Sequence, residues 1–162
     1  MNKFGKFAGF SNPHYISAYD TTNQTISATN QEFLWKFNTT DVTNGISIAD
    51  NTKITVSKDG TYNIQFSAQV VESNASATDV YVWFKKNGVN IPYSTTKYTL
   101  KGAGEAAVII LNVIVKLNKN DYVQIAWSNS TTTSLLYQGP LTSPDRPAIP
   151  SIILTVWEIS SY

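Results

Sequence analysis

The most regular pattern in the chain is an alternation of apolar and polar residues that follows the turn sequence Asp59-Gly60. The apolar positions of this stretch are Tyr62, Ile64, Phe66, Ala68 and Val70. The intervening positions carry hydroxyl or amide groups and no charge, and they are Thr61, Asn63, Gln65, Ser67 and Gln69. Because successive side chains of a strand point to opposite faces, the pattern predicts a strand with one buried face and one uncharged polar face.

Comparable short runs recur along the chain, and turn sequences such as "SKDG", "KKNG", "NKND" and "NTTDVTNG" separate them. Asn87-Gly88 is the sharpest turn signal, because this dipeptide accommodates the positive φ angles of a type I′ hairpin. The predicted strands are Tyr15–Tyr19, Thr25–Ala28, Glu32–Phe37, Gly45–Ile48, Lys53–Ser57, Thr61–Val71, Asp79–Lys86, Thr96–Lys101, Glu105–Leu117, Tyr122–Ser128, Ser134–Tyr137 and Ser151–Ile159. Many short strands at this spacing indicate an all-β fold, an antiparallel β-sandwich or barrel.

Three of the predicted strands are apolar on both faces. They contain "VYVWF" at 80–84, "AAVIILNVIVKL" at 106–117 and "SIILTVWEI" at 151–159. An antiparallel sandwich normally buries one face of each sheet and leaves the other in water. An apolar second face therefore indicates that another part of the structure packs on it, and a partner subunit is the simplest candidate. The alternative is a thick core with loops laid over one sheet.

The length of 162 residues fits one domain, preceded by a short segment of different character. In that segment Phe4, Phe7 and Phe10 recur at a spacing of three, but two glycines and a proline oppose a stable helix. We interpret Met1–His14 as an extended N-terminal arm and residues 15–162 as the folded domain. The alternative for the arm is a terminus without a fixed partner.

The balanced charge of the chain and its lack of cysteine limit the kinds of partner and site that we expect. Lys plus Arg number 12 and Asp plus Glu number 11, and charged residues make up 14% of the chain, against roughly 25% in an average domain. So neutral a chain predicts no nucleic-acid partner and no anionic membrane surface. There are no cysteines, no apolar run approaches a membrane span, and the first ten residues lack the apolar core of a secretory signal.

Catalytic and metal-binding patterns are absent from the sequence. His14 is the single histidine and lies in the predicted arm, where we expect a surface or interface role rather than catalysis. Zinc would need several His or Cys ligands, so we predict no metal and no cofactor. Among the acidic residues, Asp79, Glu105 and Glu158 lie near strand ends and are the least easily assigned to turns. The prediction is that the chain is not an enzyme.

Four segments, taken in order, resemble the C1q/TNF-like jelly-roll superfamily. They are "GTYNIQFSAQV" (60–70), "VYVWFKKNG" (80–88), "AAVIILNVIVKLNKNDYVQIAW" (106–127) and "IPSIILTVWEI" (149–159). Many members place Gly-Asp where this chain has Asn120-Asp121, which still allows a tight turn. The phrases "FNTTDVTNGISI", "FSAQV" and "IPSIILTV" are similar to the compact jelly-roll virion proteins of bacteriophages and other large DNA viruses.

The resemblance implies a homotrimer whose strands pack around a threefold axis. The residues expected at the trimer interface are Asn63, Gln65, Ser67, Gln69, Tyr81, Trp83, Ile153 and Trp157. An uncharged polar face suits such a position, because amides hydrogen-bond to one another whereas like charges repel their symmetry copies and are costly to desolvate. The alternative is an ordinary solvated face that happens to carry no charge.

The resemblance also implies a structural role on the exterior of a virus particle. We expect a capsid decoration or cement protein, with a major capsid protein or another virion protein as partner. The residues expected to anchor the arm to the capsid are Lys3, Phe4, Lys6, Phe7 and Phe10.

The alternative function is the host-recognition tip of a head or tail fibre that binds a surface glycan or receptor. The aromatic residues that border the loops available for such binding are Tyr93, Trp127 and Tyr137. We favour a core position for Trp127. The missing fibre shaft favours decoration, and a secreted C1q/TNF-like ligand is disfavoured by the absence of a signal and of a collagen-like stalk.

Overall fold

The computed structural model describes residues 12–131 and 133–161. This part of the chain consists of strands joined by turns. The strands are β1 (Tyr15–Asp20), β2 (Gln24–Thr25), β3 (Phe33–Leu34), β4 (Thr39–Asn44), β5 (Ile46–Ala49), β6 (Lys53–Val56), β7 (Gly60–Glu72), β8 (Thr78–Lys86), β9 (Val89–Asn90), β10 (Thr96–Leu100), β11 (Ala106–Leu117), β12 (Tyr122–Asn129), β13 (Thr133–Leu135), β14 (Leu141–Thr142), β15 (Asp145–Arg146) and β16 (Ile152–Ser160). Within these ranges no helix is long and apolar enough to cross a bilayer.

The strands form two antiparallel sheets. In the first sheet β7 is central, with β11 on one side and β16, β1 and β4 following on the other. β13 pairs with the last residues of β7 and with β2. The second sheet has the order β10-β8-β12-β6-β5, with β3 beside β12 and β9 beside β8. β14 and β15 form a separate hairpin. This order makes β11 an edge strand of the first sheet, paired along its length with β7 only.

The core lies between the two sheets and centres on four aromatic rings. Phe66 on β7 meets the ring of Trp35 edge to face, with centroids 4.8 Å apart. Trp35 lies 5.9 Å from Trp127 of β12, and Phe66 lies 5.7 Å from Phe84 of β8. All four side chains are buried. These contacts join the central strand of the first sheet to two strands of the second, so the alternation along β7 is explained by packing against the opposite sheet.

The longer predicted strands are confirmed, and the Asn87-Gly88 hairpin is confirmed by positive φ angles of 50° and 80°. The assignment of 38–45 to a turn was wrong, because Thr39–Asn44 is the strand β4. β4 pairs only with β1 at the sheet edge and exposes most of its side chains. A polar edge strand carries no burial pattern, so its pairing depends on backbone hydrogen bonds that composition does not reveal.

Candidate functional site: an uncharged outer sheet face

The outer face of the first sheet has three rows of side chains, defined by the register of β11, β7 and β16. We call these nine residues the uncharged face. The rows are Ile110, Ser67 and Ile153, then Asn112, Gln65 and Thr155, then Ile114, Asn63 and Trp157. The central strand thus contributes polar side chains, whereas the two flanking strands contribute large apolar ones in the first and third rows.

The apolar members of the uncharged face are open to solvent in a single chain. Ile110 is 60% exposed, Ile114 is 62% exposed and Ile153 is 41% exposed. No row contains a charged residue, and Lys116 follows only beyond the third row, opposite Thr61. Exposed apolar residues grouped in this way mark interaction surfaces, whereas scattered ones are ordinary.

Asn63 is the most enclosed polar residue of this face. Its side chain lies in the row between Ile114 and Trp157, and the residue is only 4% exposed. Within the described part of the chain, its Nδ2 donor has no hydrogen-bond acceptor. Buried amide donors are nearly always paired in native proteins. The uncharged face therefore has hydrogen-bonding capacity that a single copy of the chain leaves unused.

A hollow of about 320 Å³ lies in the first two rows. Ile110 and Ile153 line it, together with the polar residues Gln65, Ser67 and Thr155. Because Ile110 and Ile153 flank Ser67 on the two neighbouring strands, the hollow has apolar sides and a floor of hydroxyl and amide groups. Such a site accepts an uncharged amphipathic group and offers no counter-ion to a charged one.

The outer face of the second sheet has a different character. Lys85 pairs with Glu32 and Lys97 pairs with Asp79, so this face carries charged side chains that neutralise each other. Tyr81 and Trp83 lie here, with Lys97 Nζ 6.0 Å from the Tyr81 ring and Trp83 Nε1 donating to Asn90. A surface of paired charges is suited to water.

Six of the eight residues predicted for the trimer interface share the outer side of the first sheet. Tyr81 and Trp83 lie on the opposite side of the sandwich, so the eight residues do not form one surface. Tyr81 and Trp83 belong to a strand that is apolar on both faces, and this property does not tell which sheet the strand joins. Three exposed apolar residues of β11 were left out of the predicted interface, and they are Val108, Ile110 and Ile114. The same two-sided apolar pattern was the signal that could have included them.

His14 and Glu158 connect β1 to β16 at one end of the first sheet. The His14 backbone N–H donates to Glu158 Oε2 at 3.0 Å, and the Glu158 N–H donates to the His14 carbonyl at 2.7 Å. The ring of His14 packs on Gly45, where φ is 68° and a Cβ would come within 2.3 Å of the ring. His14, the last residue of the predicted arm, is therefore attached to the folded domain.

The Glu158 carboxylate is buried and ionised. Burial alone would raise its pKa, but hydrogen bonds from Lys58, the His14 N–H and Ser161 outweigh that effect and lower the pKa to about 2. The Lys58 ammonium lies 2.8 Å from Glu158 Oε1. The Asp121 carboxylate has a similar environment. Burial alone would raise its pKa, but hydrogen bonds from Lys86, Asn87 and the Asn118 backbone N–H outweigh that effect and lower the pKa to about 2.

Replacing Glu158 with glutamine is expected to lower the free energy of unfolding by about 2 kcal/mol at pH 7. The folded-state pKa lies below the ordinary value of 4.5, so this stabilisation is present above pH 4.5 and disappears as the pH falls to about 2. Urea unfolding at pH 7 and at steps from pH 5 to 2.5 measures both effects. Glu158→Gln should lose less stability than the parent over the acid range. Asp145→Asn, at an exposed carboxyl, serves as the control, and an unchanged acid response in Glu158→Gln would contradict the assignment.

The other two carboxylates singled out in the sequence also have structural partners. Asp79 accepts hydrogen bonds from Lys97 and Thr99, which lower its pKa. Glu105 accepts the backbone N–H of Lys101 in the turn before β11. Together with Glu158 they occupy separate parts of the fold. No group of three or more His, Asp or Glu side chains suited to a metal occurs in residues 12–131 and 133–161.

The three residues predicted for ligand loops have different environments. Trp127 is buried in the core, as favoured above, and Tyr137 is half-buried. Tyr93 is fully exposed between β9 and β10. The residues predicted to anchor the arm, Lys3, Phe4, Lys6, Phe7 and Phe10, lie outside the described residues.

Comparison with known proteins supports the fold. No protein-family model matches the sequence, and no curated protein sequence matches it. Among solved structures, the chain is similar to the globular domain of a zebrafish complement 1qA protein, with a TM-score of 0.52 and 12% sequence identity. The similarity covers 93% of this chain and 98% of that one. The chain therefore has the C1q/TNF-like jelly-roll fold, an all-β antiparallel sandwich, which confirms the fold class expected from the sequence.

Proposed function

We propose that this chain is a trimeric structural protein of a virus particle, and that its copies associate through the uncharged face. The observation that carries the proposal is the contrast between the two outer faces of the sandwich. The second sheet presents paired charges, whereas the uncharged face presents exposed isoleucines, a tryptophan and no charge. If both outer faces were exposed to water in the functional protein, we would not expect their compositions to differ so strongly.

The polar residues in the middle of the uncharged face support association between copies of the chain. Amide and hydroxyl groups on β7 supply donors and acceptors that pair across an interface at a smaller desolvation cost than charges. The buried Asn63 amide, with its unused donor, supports the same conclusion. The trimeric state itself follows from the sequence resemblance to the C1q/TNF-like superfamily.

The role on the particle exterior rests on the resemblance to compact jelly-roll virion proteins and on the phenylalanines of the arm. In this proposal the trimer acts as a decoration or cement protein, and Phe4, Phe7 and Phe10 bind the capsid shell. Residues Asn12 to His14 are attached to the domain by hydrogen bonds that include the Pro13 carbonyl and the His14 N–H. The last three residues of the arm are therefore fixed on the domain, with His14 next to Gly45 and Glu158.

Light scattering tests the association directly, on the full chain and on a version that lacks residues 1–11. Each is expected to have three times the mass of its own chain, which is 17.9 kDa for the full chain, because the uncharged face lies within the folded domain. The shortened version keeps the contacts of residues 12–14. A change in the number of copies per assembly would therefore not arise from lost contacts at this end of the sheet. A monomeric mass for both proteins would contradict the proposal.

The virion role needs a second measurement. Quantitative mass spectrometry of purified particles is expected to find the chain in many copies, and particles lacking it should rebind the full protein. The version without residues 1–11 should remain trimeric but fail to bind. Equal binding of both versions would contradict an anchoring arm, and absence of the chain from particles would contradict the virion role.

A further inference from the structure

Tyr93 has an unusual combination of backbone conformation and exposure. Its side chain is fully exposed, and its φ angle is 61°, in the left-handed region that a tyrosine rarely adopts. Such a conformation costs free energy and persists where the surrounding structure imposes it, often at functional sites. A large apolar ring held in solvent by an unfavourable backbone conformation needs an explanation beyond folding.

The loop that carries Tyr93 is held in place by hydrogen bonds on both sides. The buried Ser94 hydroxyl donates to the Ile91 carbonyl at 2.8 Å and accepts the Phe84 N–H at 3.1 Å. The Ile91 N–H donates to the Phe84 carbonyl at 2.9 Å, and Asn90 accepts from Trp83. The ring is therefore presented from a fixed backbone, which reduces the entropy lost when an exposed side chain is bound.

This loop stands beside the free edge of β11, next to the uncharged face. A hollow of about 200 Å³ is lined by Tyr93 and by Leu111 to Val113 of that strand. A second hollow, of about 430 Å³, lies between residues 89–92 and Val115. The loop thus continues the surface that begins with Ile110 and Ile114, and a copy that covers one side of β11 also approaches the loop.

The hollow between Ile110 and Ile153 matches a tyrosine in chemistry. Its apolar sides suit the two faces of a phenol ring, and its floor of Gln65, Ser67 and Thr155 offers partners to the hydroxyl group. The hollow lacks a charged residue, so it discriminates against lysine, arginine and carboxylate side chains. The exposed ring lies on the loop between β9 and β10, the hollow lies on β7, β11 and β16, and the two are complementary in character.

We propose that Tyr93 of one copy inserts into the hollow between Ile110 and Ile153 of the next copy. This inference rests on the proposed trimer and specifies its contact. Because the inserted and receiving parts are different surfaces, the contact is head-to-tail, and a threefold rotation closes it so that each copy gives one tyrosine and receives one. Tyrosine is among the residues that dominate association energies at such buried positions.

Photo-crosslinking tests the position of the contact. The photoreactive amino acid p-benzoylphenylalanine, which resembles tyrosine in shape, is placed at position 93 in the full chain. Irradiation of mixed isotope-labelled and unlabelled copies should link position 93 to peptides containing Ile110 or Ile153 of a different copy. The same amino acid at Leu141, in the separate β14–β15 hairpin, should give no such link. Crosslinks from an assembled trimer to other peptides, or none, would overturn the proposal.

Substitution of Tyr93 tests its contribution to association. Tyr93→Ala should raise the concentration at which the trimer half-dissociates by at least about tenfold, whereas Tyr93→Phe should change it only a few-fold. Tyr93→Asn removes the ring but suits a positive φ angle, so it should weaken association equally without lowering the unfolding temperature. A Tyr93→Asn protein that assembles like the parent overturns the insertion and leaves the trimer standing. If the parent protein itself is a monomer, both the proposed trimer and the proposed insertion of Tyr93 are refuted.

Discussion

Replacing Ile153 with lysine is expected to convert the trimer to monomers while the chain remains folded. Ile153 is 41% exposed in the single chain, so a lysine there reaches water and leaves the core intact. In the assembly, however, each ammonium would be buried in a face whose three rows contain no carboxylate. An unpaired buried charge costs several kcal/mol, and a trimer would contain three of them.

Light scattering and circular dichroism together measure this effect. The Ile153→Lys protein should have the mass of one chain and the β-sheet spectrum of the parent. Leu141→Lys is the matched control, because Leu141 is 42% exposed but belongs to the β14–β15 hairpin. It should remain trimeric. A folded Ile153→Lys protein that keeps the mass of three chains would place the interface elsewhere.

Replacing Phe66 with alanine is expected to lower the free energy of unfolding by about 4 kcal/mol. Phe66 lies beneath the uncharged face on β7, and its ring contacts both Trp35 and Phe84. Truncation leaves a cavity at the point where the two sheets meet, and it removes an edge-to-face aromatic pair. This loss is a property of the single chain, so it should appear whether or not the copies associate.

Chemical denaturation in the Ile153→Lys background separates this effect from dissociation. Ile153→Lys and Ile153→Lys/Phe66→Ala are compared, with Val42→Ala on the exposed edge strand β4 as the control. The control should change stability by less than about 1 kcal/mol. A similarly small change for Phe66→Ala would contradict its central position in the core.

The strands with long alternating patterns were predictable because burial imposes a period of two on their residues. The strand at 60–72 follows this rule, and the structure places its apolar residues in the core and its amides outside. β4, β9, β14 and β15 were not predictable, since they bury little and form through backbone pairing, whereas β3 lies within the predicted strand Glu32–Phe37. The superfamily resemblance was sufficient for the fold, whereas closeness to virion proteins stays a prediction.

The candidate site was only partly predictable. Asn63, Gln65, Ser67 and Gln69 were placed together correctly, because they share one strand. Tyr81 and Trp83 were grouped with them although they lie on the other sheet. Tyr93 was noticed as a loop aromatic, but its fixed, exposed presentation depends on hydrogen bonds that Ser94 of the loop makes with Phe84 of β8 and with Ile91.

The sequence by itself determined the class of fold, the two faces of each long strand and the absence of charge from one side of β7. These are local properties, since each follows from the order of residues within a single strand. Only the tertiary structure decided that β11, β7 and β16 bring their outer residues into one face. It also decided that paired charges lie on the outer face of the second sheet. Neighbouring strands in a jelly roll are distant in sequence, so the composition of a sheet face depends on register and strand order.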